Sequence, residues 1–277
     1  MAVTVPFQVL KKEKALCGRM RTSTTWIGIA VFAMILSAIS PGVGLAIAAM
    51  PVNAGHVDAA PSASTLGYSY NWAGYAAGGA NGTVTQVVGT WVQPTLNCAS
   101  PNTTYLATWV GIDGFNTSDL VQTGTGGACS GGSASYNAWW EVLPASETII
   151  GSIPVHAGDT ITASVTYSTT TKKFTMAIAD GTHSFSKTEK VSHTVRNAAE
   201  CIVERPEVGR SLSSLAKFTT DKFSSCTATL GGVTGGVGTF GSVFEIDMVN
   251  NHDTKIIGKT SAVTGGKTFH VTWKGYS

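Results

Sequence analysis

The chain has few charged residues. Asp, Glu, Lys and Arg make up 12% of its 277 residues, about half of the usual ~25%. Five of the 18 Lys and Arg and two of the 16 Asp and Glu lie before residue 62, so the remainder is close to neutral. A near-neutral chain without a basic stripe or an acidic tail does not suit nucleic acid or a charged disordered partner. We therefore expect no nucleic-acid partner.

The sequence also lacks the short motifs of the common hydrolases. Its histidines form neither an H-x-x-x-H nor an H-E-x-x-H pattern and C-x-x-C is absent, so neither a metal site nor a cofactor is expected. The nucleophile motif G-x-S-x-G is absent too. A triad of distant residues stays open, because triads are defined by geometry. Gln122-Thr123-Gly124 resembles an aspartic protease triplet with an amide replacing the acid, but the second carboxylate that such enzymes need is missing.

The N-terminal region contains a long stretch without charge. After a basic segment ending at Arg21, no charged side chain occurs before Asp58, and residues 26–50 are apolar with a Ser-Pro-Gly interruption. A basic front, an apolar middle and a final A-x-A pattern predict a secretory signal peptide over residues 1–49, with Met20 as a second candidate start. A retained membrane anchor stays open, because the stretch is long enough to span a bilayer.

The rest of the chain has the length of one ordinary domain. Residues 50–66 are predicted to be a short pro-segment or linker, and residues 67–277 the main domain. Cys17 would be lost with the signal, which leaves an even number of cysteines in an exported chain and favours two disulfides. The four cysteines allow three pairings. We prefer those that close short loops, which are Cys98–Cys129 and Cys201–Cys226.

Short runs rich in Val, Thr, Ile and aromatic residues follow one another from Tyr68 onward. Residues 83–92, 104–112 and 173–179 are examples, divided by Gly, Asp and Asn turns. No helical stripe interrupts them, so many antiparallel strands and an all-β sandwich or jelly roll are predicted. The glycine-rich residues 231–241 are predicted to be a flexible loop, either a mobile flap or a disordered connection.

Five motifs occur in a fixed order along the predicted strands. They are Asn71-Trp72-Ala73-Gly74, Trp109-Val110-Gly111-Ile112-Asp113-Gly114, Val121-Gln122-Thr123-Gly124, Tyr136-Asn137-Ala138-Trp139-Trp140-Glu141 and Ala199-Glu200-Cys201-Ile202-Val203-Glu204. Each is short, but together, in this order and at this spacing, they resemble the glutamic peptidases, also called eqolisins. The resemblance runs from about Asn71 to Thr229.

This resemblance implies a concanavalin-like jelly-roll sandwich of two antiparallel sheets, with a catalytic dyad of one glutamine and one glutamate. Matched by motif, the dyad is Gln122 and Glu204. The positions that bind substrate or support the dyad match Trp109, Asp113, Asn137, Trp139 and Glu141. Asn137 replaces an acid that the family often has, which leaves the substrate preference open.

The chemistry of the two dyad residues fits peptide hydrolysis. A carboxylate such as Glu204 can take a proton from water and return it to the leaving nitrogen, and an amide such as Gln122 can hold the water and donate to the oxyanion. Taken singly, Gln122 would be an ordinary strand residue, and Glu204 could instead pair with Arg205 or Arg210. Because strand faces alternate, Trp139 and Glu141 should share one face while Trp140 points into the core.

The sequence therefore predicts a secreted, acid-acting glutamic endopeptidase, a monomer whose partners are protein or peptide substrates and whose mature form is not bound to a membrane. One alternative is a carbohydrate-active or carbohydrate-binding jelly roll, in which Glu141 and Glu204 would be the paired acids. The other is a non-catalytic secreted sandwich. Only the peptidase hypothesis requires Gln122.

Overall fold

The computed structural model describes residues 64–209 and 211–277, which form twenty β-strands and one short 3₁₀ helix, with no α-helix in these ranges. The signal peptide and most of the expected pro-segment lie outside the described residues. The strands are β1 Thr65–Ser69, β2 Trp72–Gly78, β3 Val84–Val92, β4 Leu96–Asn97, β5 Thr104–Ile112, β6 Val121–Ser130, β7 Ser133–Val142, β8 Thr148–Ile149, β9 Thr160–Ser168, β10 Lys173–Ala179, β11 Ser184–Glu189, β12 Ala198–Glu204, β13 Glu207–Val208, β14 Ser211–Leu212, β15 Lys217–Phe218, β16 Asp221–Leu230, β17 Val233–Gly236, β18 Val243–Val249, β19 Ile256–Thr260 and β20 Phe269–Trp273.

Most strands belong to one hydrogen-bonded path that folds into two layers. Its order is β11-β10-β9-β3-β16-β20-β19-β18-β2-β12-β5-β6-β7-β8. The first five strands form one layer and the strands from β18 to β8 form the other, since β3 contacts β5 and β12, and β9 contacts β5 and β6. Strand β1 pairs in parallel with β18, and the remaining strand pairs are antiparallel. The predicted all-β sandwich is confirmed.

The main hydrophobic core lies between these layers. Alternate residues of β12, Ala199, Cys201 and Val203, point into it, as do Trp91 of β3 and Phe223 of β16. Full burial of side chains of this size stabilises the fold by roughly 1.5–3 kcal/mol each. The buried indole N–H of Trp91 is not left unsatisfied, because it donates to Thr125 Oγ1 at 3.2 Å. This packing leaves the other face of β12 free to carry polar groups.

Two disulfides crosslink the sandwich, and their pairings are the two that were preferred because they close short loops. Cys201–Cys226 joins β12 to β16 across the core, and Cys98–Cys129 joins the segment after β4 to β6. The bridged residues are 25 and 31 positions apart, so each crosslink stabilises the fold by about 3 kcal/mol in the chain-entropy account. The disulfides fit a protein of an oxidising compartment. None of the helical structure within the described ranges is long and apolar enough to be a membrane span.

The glycine-rich segment 231–241 is not a free loop, and the prediction of a flexible connection there is wrong. It contains β17, which pairs with β16, followed by the 3₁₀ helix Val237–Thr239. Val237 and Gly238 are buried, and a side chain at Gly238 would collide with Val263. Glycine is required here for close backbone packing rather than for mobility. At the other end of the domain, β1 begins at Thr65, inside the expected linker 50–66.

Candidate active site

Strand pairing determines which of the predicted residues share a face. Glu204 lies opposite Ala107 of β5, and Ala107 lies opposite Gly126 of β6. Directly paired residues of adjacent strands point to the same side of a sheet, as do residues two apart along one strand. Gln122, four residues before Gly126, therefore points to the same side as Glu204. We call this side of β2, β12, β5, β6 and β7 the site face; it is opposite to the main core.

The two dyad candidates lie on a diagonal of the site face, with Trp109 on the strand between them. Gln122 lies opposite Gly111, which lies opposite Glu200, so Glu204 is four residues further along β12. Trp109 is fully buried and its indole Nε1 donates to Glu204 Oε2 at 2.7 Å. The edge of Trp72 packs on the Trp109 ring, with centroids 5.0 Å apart. The indole thus holds the Glu204 carboxyl.

Glycines on the site face make room for the large side chains. A Cβ at Gly111 would lie 2.8 Å from the Trp109 ring, and one at Gly126 would lie 2.6 Å from Asn137 Oδ1. A Cβ at Gly124 would lie 2.6 Å from the Cβ of Trp109. Contacts this short are not tolerated. The glycines of the W-V-G and Q-T-G motifs, Gly111 and Gly124, therefore make room for Trp109, and Gly126 makes room for Asn137.

Glu204 is held by two well-formed hydrogen bonds. Besides the indole of Trp109, the side-chain amide of Asn71 donates from Nδ2 to Glu204 Oε1 at 3.0 Å. Burial raises the pKa of Glu204 to about 7, while the hydrogen bonds from Trp109 and Asn71 act in the opposite direction. Burial disfavours the charged carboxylate and donors favour it. In this site burial is the larger effect.

Gln122 is paired with Glu141 on the neighbouring strand. The two residues are directly opposite, each is only 5% exposed, and Gln122 Nε2 donates to Glu141 Oε2 at 2.6 Å. Burial raises the pKa of Glu141 to about 7; the charge of Glu204 adds to this, whereas the hydrogen bonds from Gln122 and the Glu147 backbone oppose it. The remaining oxygens, Gln122 Oε1 and Glu141 Oε1, are buried and have no partner.

The two remaining residues predicted on β7 also lie on the site face. Trp139 is buried in a small cluster with Trp109 and Ile202. Asn137 lies over Gly126 with its Oδ1 buried and unpartnered. Trp140 points the other way and packs against the main core, as the alternation of faces along the strand predicts.

Asp113 plays a different part in the structure. It is fully buried directly after β5 and accepts hydrogen bonds from the backbone N–H groups of Arg196 and Asn197, at 2.7 and 2.9 Å. Its φ is +70°, which Asp tolerates better than most residues. The carboxylate thus anchors the segment that leads into β12. Asp113 thereby helps to position the strand that carries Glu204.

Three residues near the dyad were not predicted from the sequence. Asn71, which donates to Glu204, lies in the N-W-A-G motif, and that motif could have identified it as a site residue. Glu200 shares the site face of β12 with Glu204 but is fully buried; burial and the charge of Asp113 raise its pKa well above the usual value. Glu147 follows β7, and burial together with the charges of Glu141 and Glu204 raises its pKa to about 8.

The alternative partner for Glu204, Arg205, points elsewhere. Its guanidinium is fully buried and donates to the Tyr70 carbonyl and to Asn251 Oδ1, each at 2.6 Å. It therefore joins the turn before β2 to the turn after β18. Arg210 lies outside the described residues. Across the described ranges, no group of three or more His, Cys, Asp or Glu side chains has the arrangement of a metal site.

Comparison with known proteins decides the family. The sequence pattern that defines the Peptidase A4 family matches residues 70–273. The chain belongs to the Peptidase A4 family. The resemblance to glutamic peptidases is thereby confirmed, and so is the enzyme class: a glutamic peptidase hydrolyses peptide bonds in protein or peptide substrates. All of the predicted dyad and supporting residues lie inside the matched range.

Individual relatives agree with this assignment. Aspergillopepsin-2 of Aspergillus niger is 32% identical over 195 residues, covering 61% of this chain and 67% of the relative. The crystal structure of aspergilloglutamic peptidase from Aspergillus niger is 28% identical, covers 62% of this chain and 99% of its own, and has a TM-score of 0.54. Scytalido-glutamic peptidase with a transition state analog inhibitor has a TM-score of 0.64 at 22% identity over 74% of this chain and 99% of its own. That likeness supports the jelly-roll fold.

Proposed function

We propose that this glutamic peptidase is an endopeptidase in which Gln122 and Glu204 act together on one water molecule. The observation that carries the proposal is their common position on the site face, on either side of Trp109, with Glu204 held by Trp109 and Asn71. The two donors fix the orientation of Glu204, which is half-buried, in contrast to the fully buried Glu200 on the same face. Family membership favours this function over the carbohydrate-active alternative.

In the proposed reaction the ionised Glu204 carboxylate removes a proton from the water, and the water oxygen bonds to the scissile carbonyl carbon at the same time. The carbonyl oxygen becomes an oxyanion, to which the side-chain N–H of Gln122 donates. The C–N bond then breaks, and Glu204 returns the proton to the leaving nitrogen. General base catalysis of this kind contributes about 10²–10⁴ in rate, and an oxyanion donor about 10²–10³.

Mildly acid to neutral pH suits this site, because Glu204 must be ionised while a neighbouring carboxyl keeps its proton. Glu204 has the most hydrogen-bond donors, and its charge raises the pKa of Glu141. Burial raises the pKa of both carboxyls to about 7, so Glu204 and Glu141 share one proton as the pH approaches neutrality, and the donors to Glu204 favour the form in which Glu204 carries the negative charge. We expect activity to fall at low pH, as Glu204 becomes protonated, and again above neutrality, as further carboxyls ionise.

We further propose that the enzyme is exported and works as a monomer. The predicted signal over residues 1–49 and the two disulfides support secretion. Residues 50–66 would act as a short pro-segment, except that β1 already begins at Thr65. The cleavage that removes the pro-segment must therefore lie on the N-terminal side of Thr65, so that β1 can keep its parallel pairing with β18.

A proteolysis assay with inhibitors tests the proposed function. We expect the purified protein to cleave denatured protein and an internally quenched peptide at mildly acid to neutral pH, with internal cuts visible by mass spectrometry. A chelator and a serine-directed reagent should leave the rate unchanged, because the proposed reaction uses neither a metal nor a serine. Loss of cleavage with either reagent, or release of terminal residues only, would contradict the proposal.

A further inference from the structure

The hydrogen bond between Gln122 and Glu141 has two possible forms. In the structure, Gln122 Nε2 donates to Glu141 Oε2, so Gln122 Oε1 is the atom left free, buried and without a partner. Rotating the amide by half a turn exchanges these two atoms. Gln122 Oε1 would then face Glu141, which must itself supply a proton for the hydrogen bond. A carboxylate has no such proton, whereas a carboxylic acid has one.

We propose that Glu141 is a positioning residue whose protonation decides which end of the Gln122 amide faces the reacting groups. With Glu141 ionised, the amide donates to it and turns its carbonyl oxygen toward the site. With Glu141 protonated, the acid O–H donates to Gln122 Oε1, and the amide nitrogen with its two N–H bonds faces the site. Only the second form offers its full donor capacity to the oxyanion. The inference rests on the proposed function of Gln122.

The surroundings of Glu141 make this exchange possible. Both side chains are nearly fully buried, so water does not compete for the hydrogen bond, and an unpaired buried polar atom is costly. The backbone N–H of Glu147, in the turn after β7, also holds the Glu141 carboxyl. The Glu141 carboxyl therefore keeps its place in both forms, and the amide is the group that turns.

The titratable groups facing Glu141 come from two other segments. Glu204 on β12 acts on it through its negative charge, and Glu147 lies in the turn that follows its own strand. Both neighbours are acidic, and both raise the tendency of this group of carboxyls to keep protons. Burial and the charges of Glu141 and Glu204 raise the pKa of Glu147 to about 8, so Glu147 also keeps a proton near neutral pH.

The decisive variant is Glu141→Gln, measured by the pH dependence of kcat/KM. An amide at position 141 can donate to Gln122 Oε1 at every pH. We therefore expect the high-pH limb, which is the fall of kcat/KM above neutrality, to have its midpoint at least one pH unit higher than in the wild type. Activity at acid pH should remain within about tenfold of wild type. The matched control is Glu147→Gln, which keeps its backbone N–H; in this variant the high-pH limb should stay within a few tenths of a unit.

Two results would overturn the inference. One is a Glu141→Gln enzyme, folded by circular dichroism, that keeps the wild-type high-pH limb. The other is a folded variant that is inactive at all pH values, because the carboxyl itself would then be required. The inference would also be wrong if Glu147→Gln shifted the high-pH limb and Glu141→Gln did not, because the titrating group would then be Glu147.

A second measurement does not depend on a variant. In ¹⁵N spectra of the wild-type enzyme, the side-chain amide of Gln122 should titrate with the midpoint of the high-pH limb. An amide signal that stays constant between pH 5 and 9 would contradict the inference. This readout also separates it from the proposed function: if Gln122 and Glu204 proved dispensable for cleavage, the amide could still titrate, and the failure would lie in the dyad.

Discussion

Replacing Glu204 by glutamine should lower kcat/KM by about 10³-fold or more, because general base catalysis alone supplies up to about 10⁴. The substitution keeps the shape of the side chain, and the Oε atom of the new amide can still accept from Trp109 or Asn71. The fold should therefore remain intact. What is lost is the ability to take a proton from water and return it to the leaving nitrogen.

Gln122→Ala should lower kcat by about 10²–10³, the usual effect of one oxyanion donor, with a smaller change in KM. Since the two residues act on the same step, the double variant should be little worse than Glu204→Gln alone. Matched controls are Glu189→Gln on the edge strand β11 and Gln86→Ala, whose amide bonds Thr166 on the opposite layer. If either dyad variant kept most of its activity, or if the effects simply multiplied, the dyad assignment would be wrong.

The second large effect concerns the stability of the fold. We expect the free energy of unfolding to decrease by several kcal/mol as the pH rises from 4 to 8. One contribution that a single substitution can isolate comes from Asp221, which is fully buried at the start of β16. Thr108 donates to its Oδ2 at 2.6 Å, but its Oδ1 has no partner. Burial raises the pKa of Asp221 to about 7.

The sign of this effect follows from proton linkage. The unfolded chain loses the Asp221 proton near pH ~3.9, whereas the folded protein keeps it until about pH 7. Between these values the folded state binds more protons, so stability decreases as pH rises and levels off above the folded pKa. A difference of about three pKa units corresponds to about 4 kcal/mol. The other carboxyls whose pKa values are raised by burial act in the same direction; they are Glu141, Glu147, Glu200 and Glu204.

Asp221→Asn tests this account, because asparagine stays neutral at every pH. Chemical denaturation should show nearly equal stability of variant and wild type at pH 4, and a variant that is about 4 kcal/mol more stable at pH 8. Glu189→Gln, at a more exposed carboxyl, serves as the control and should leave the difference between pH 4 and pH 8 unchanged. A wild-type protein that is equally stable at both pH values would refute the assignment of a buried, protonated Asp221.

Much of the fold could be predicted from the sequence because it depends on local alternation. The strand predicted over residues 104–112 is β5, and that predicted over 173–179 is β10. Strand β6 was harder to recognise, since five consecutive residues, Gly124 to Ala128, include three glycines. These glycines belong to the strand because Trp109 and Asn137 cover two of them, and that contact depends on the pairing of three strands.

The residues of the proposed dyad and their neighbours on the site face could be found through their motifs, but their electrostatics could not. Glu200 and Glu204 are four residues apart on one strand and so share a face, yet sequence alone does not say that the first is fully buried and the second half-buried. Glu147 and Asp221 look like ordinary turn and strand residues. Their raised pKa values come from segments far away in the chain, since pKa depends on three-dimensional burial and on neighbouring charge.

The most direct test of the central claim is a crystal structure of the enzyme with a peptide analogue that carries a tetrahedral diol or alcohol at the scissile position. The account predicts one ligand oxygen in contact with the Glu204 carboxyl and a second oxygen, or the same one, at about 2.7–3.1 Å from the Gln122 amide. Trp109 should still donate to Glu204 in that complex. A ligand whose tetrahedral oxygens reach only one of the two side chains, or neither, would contradict the claim that Gln122 and Glu204 share the reacting water.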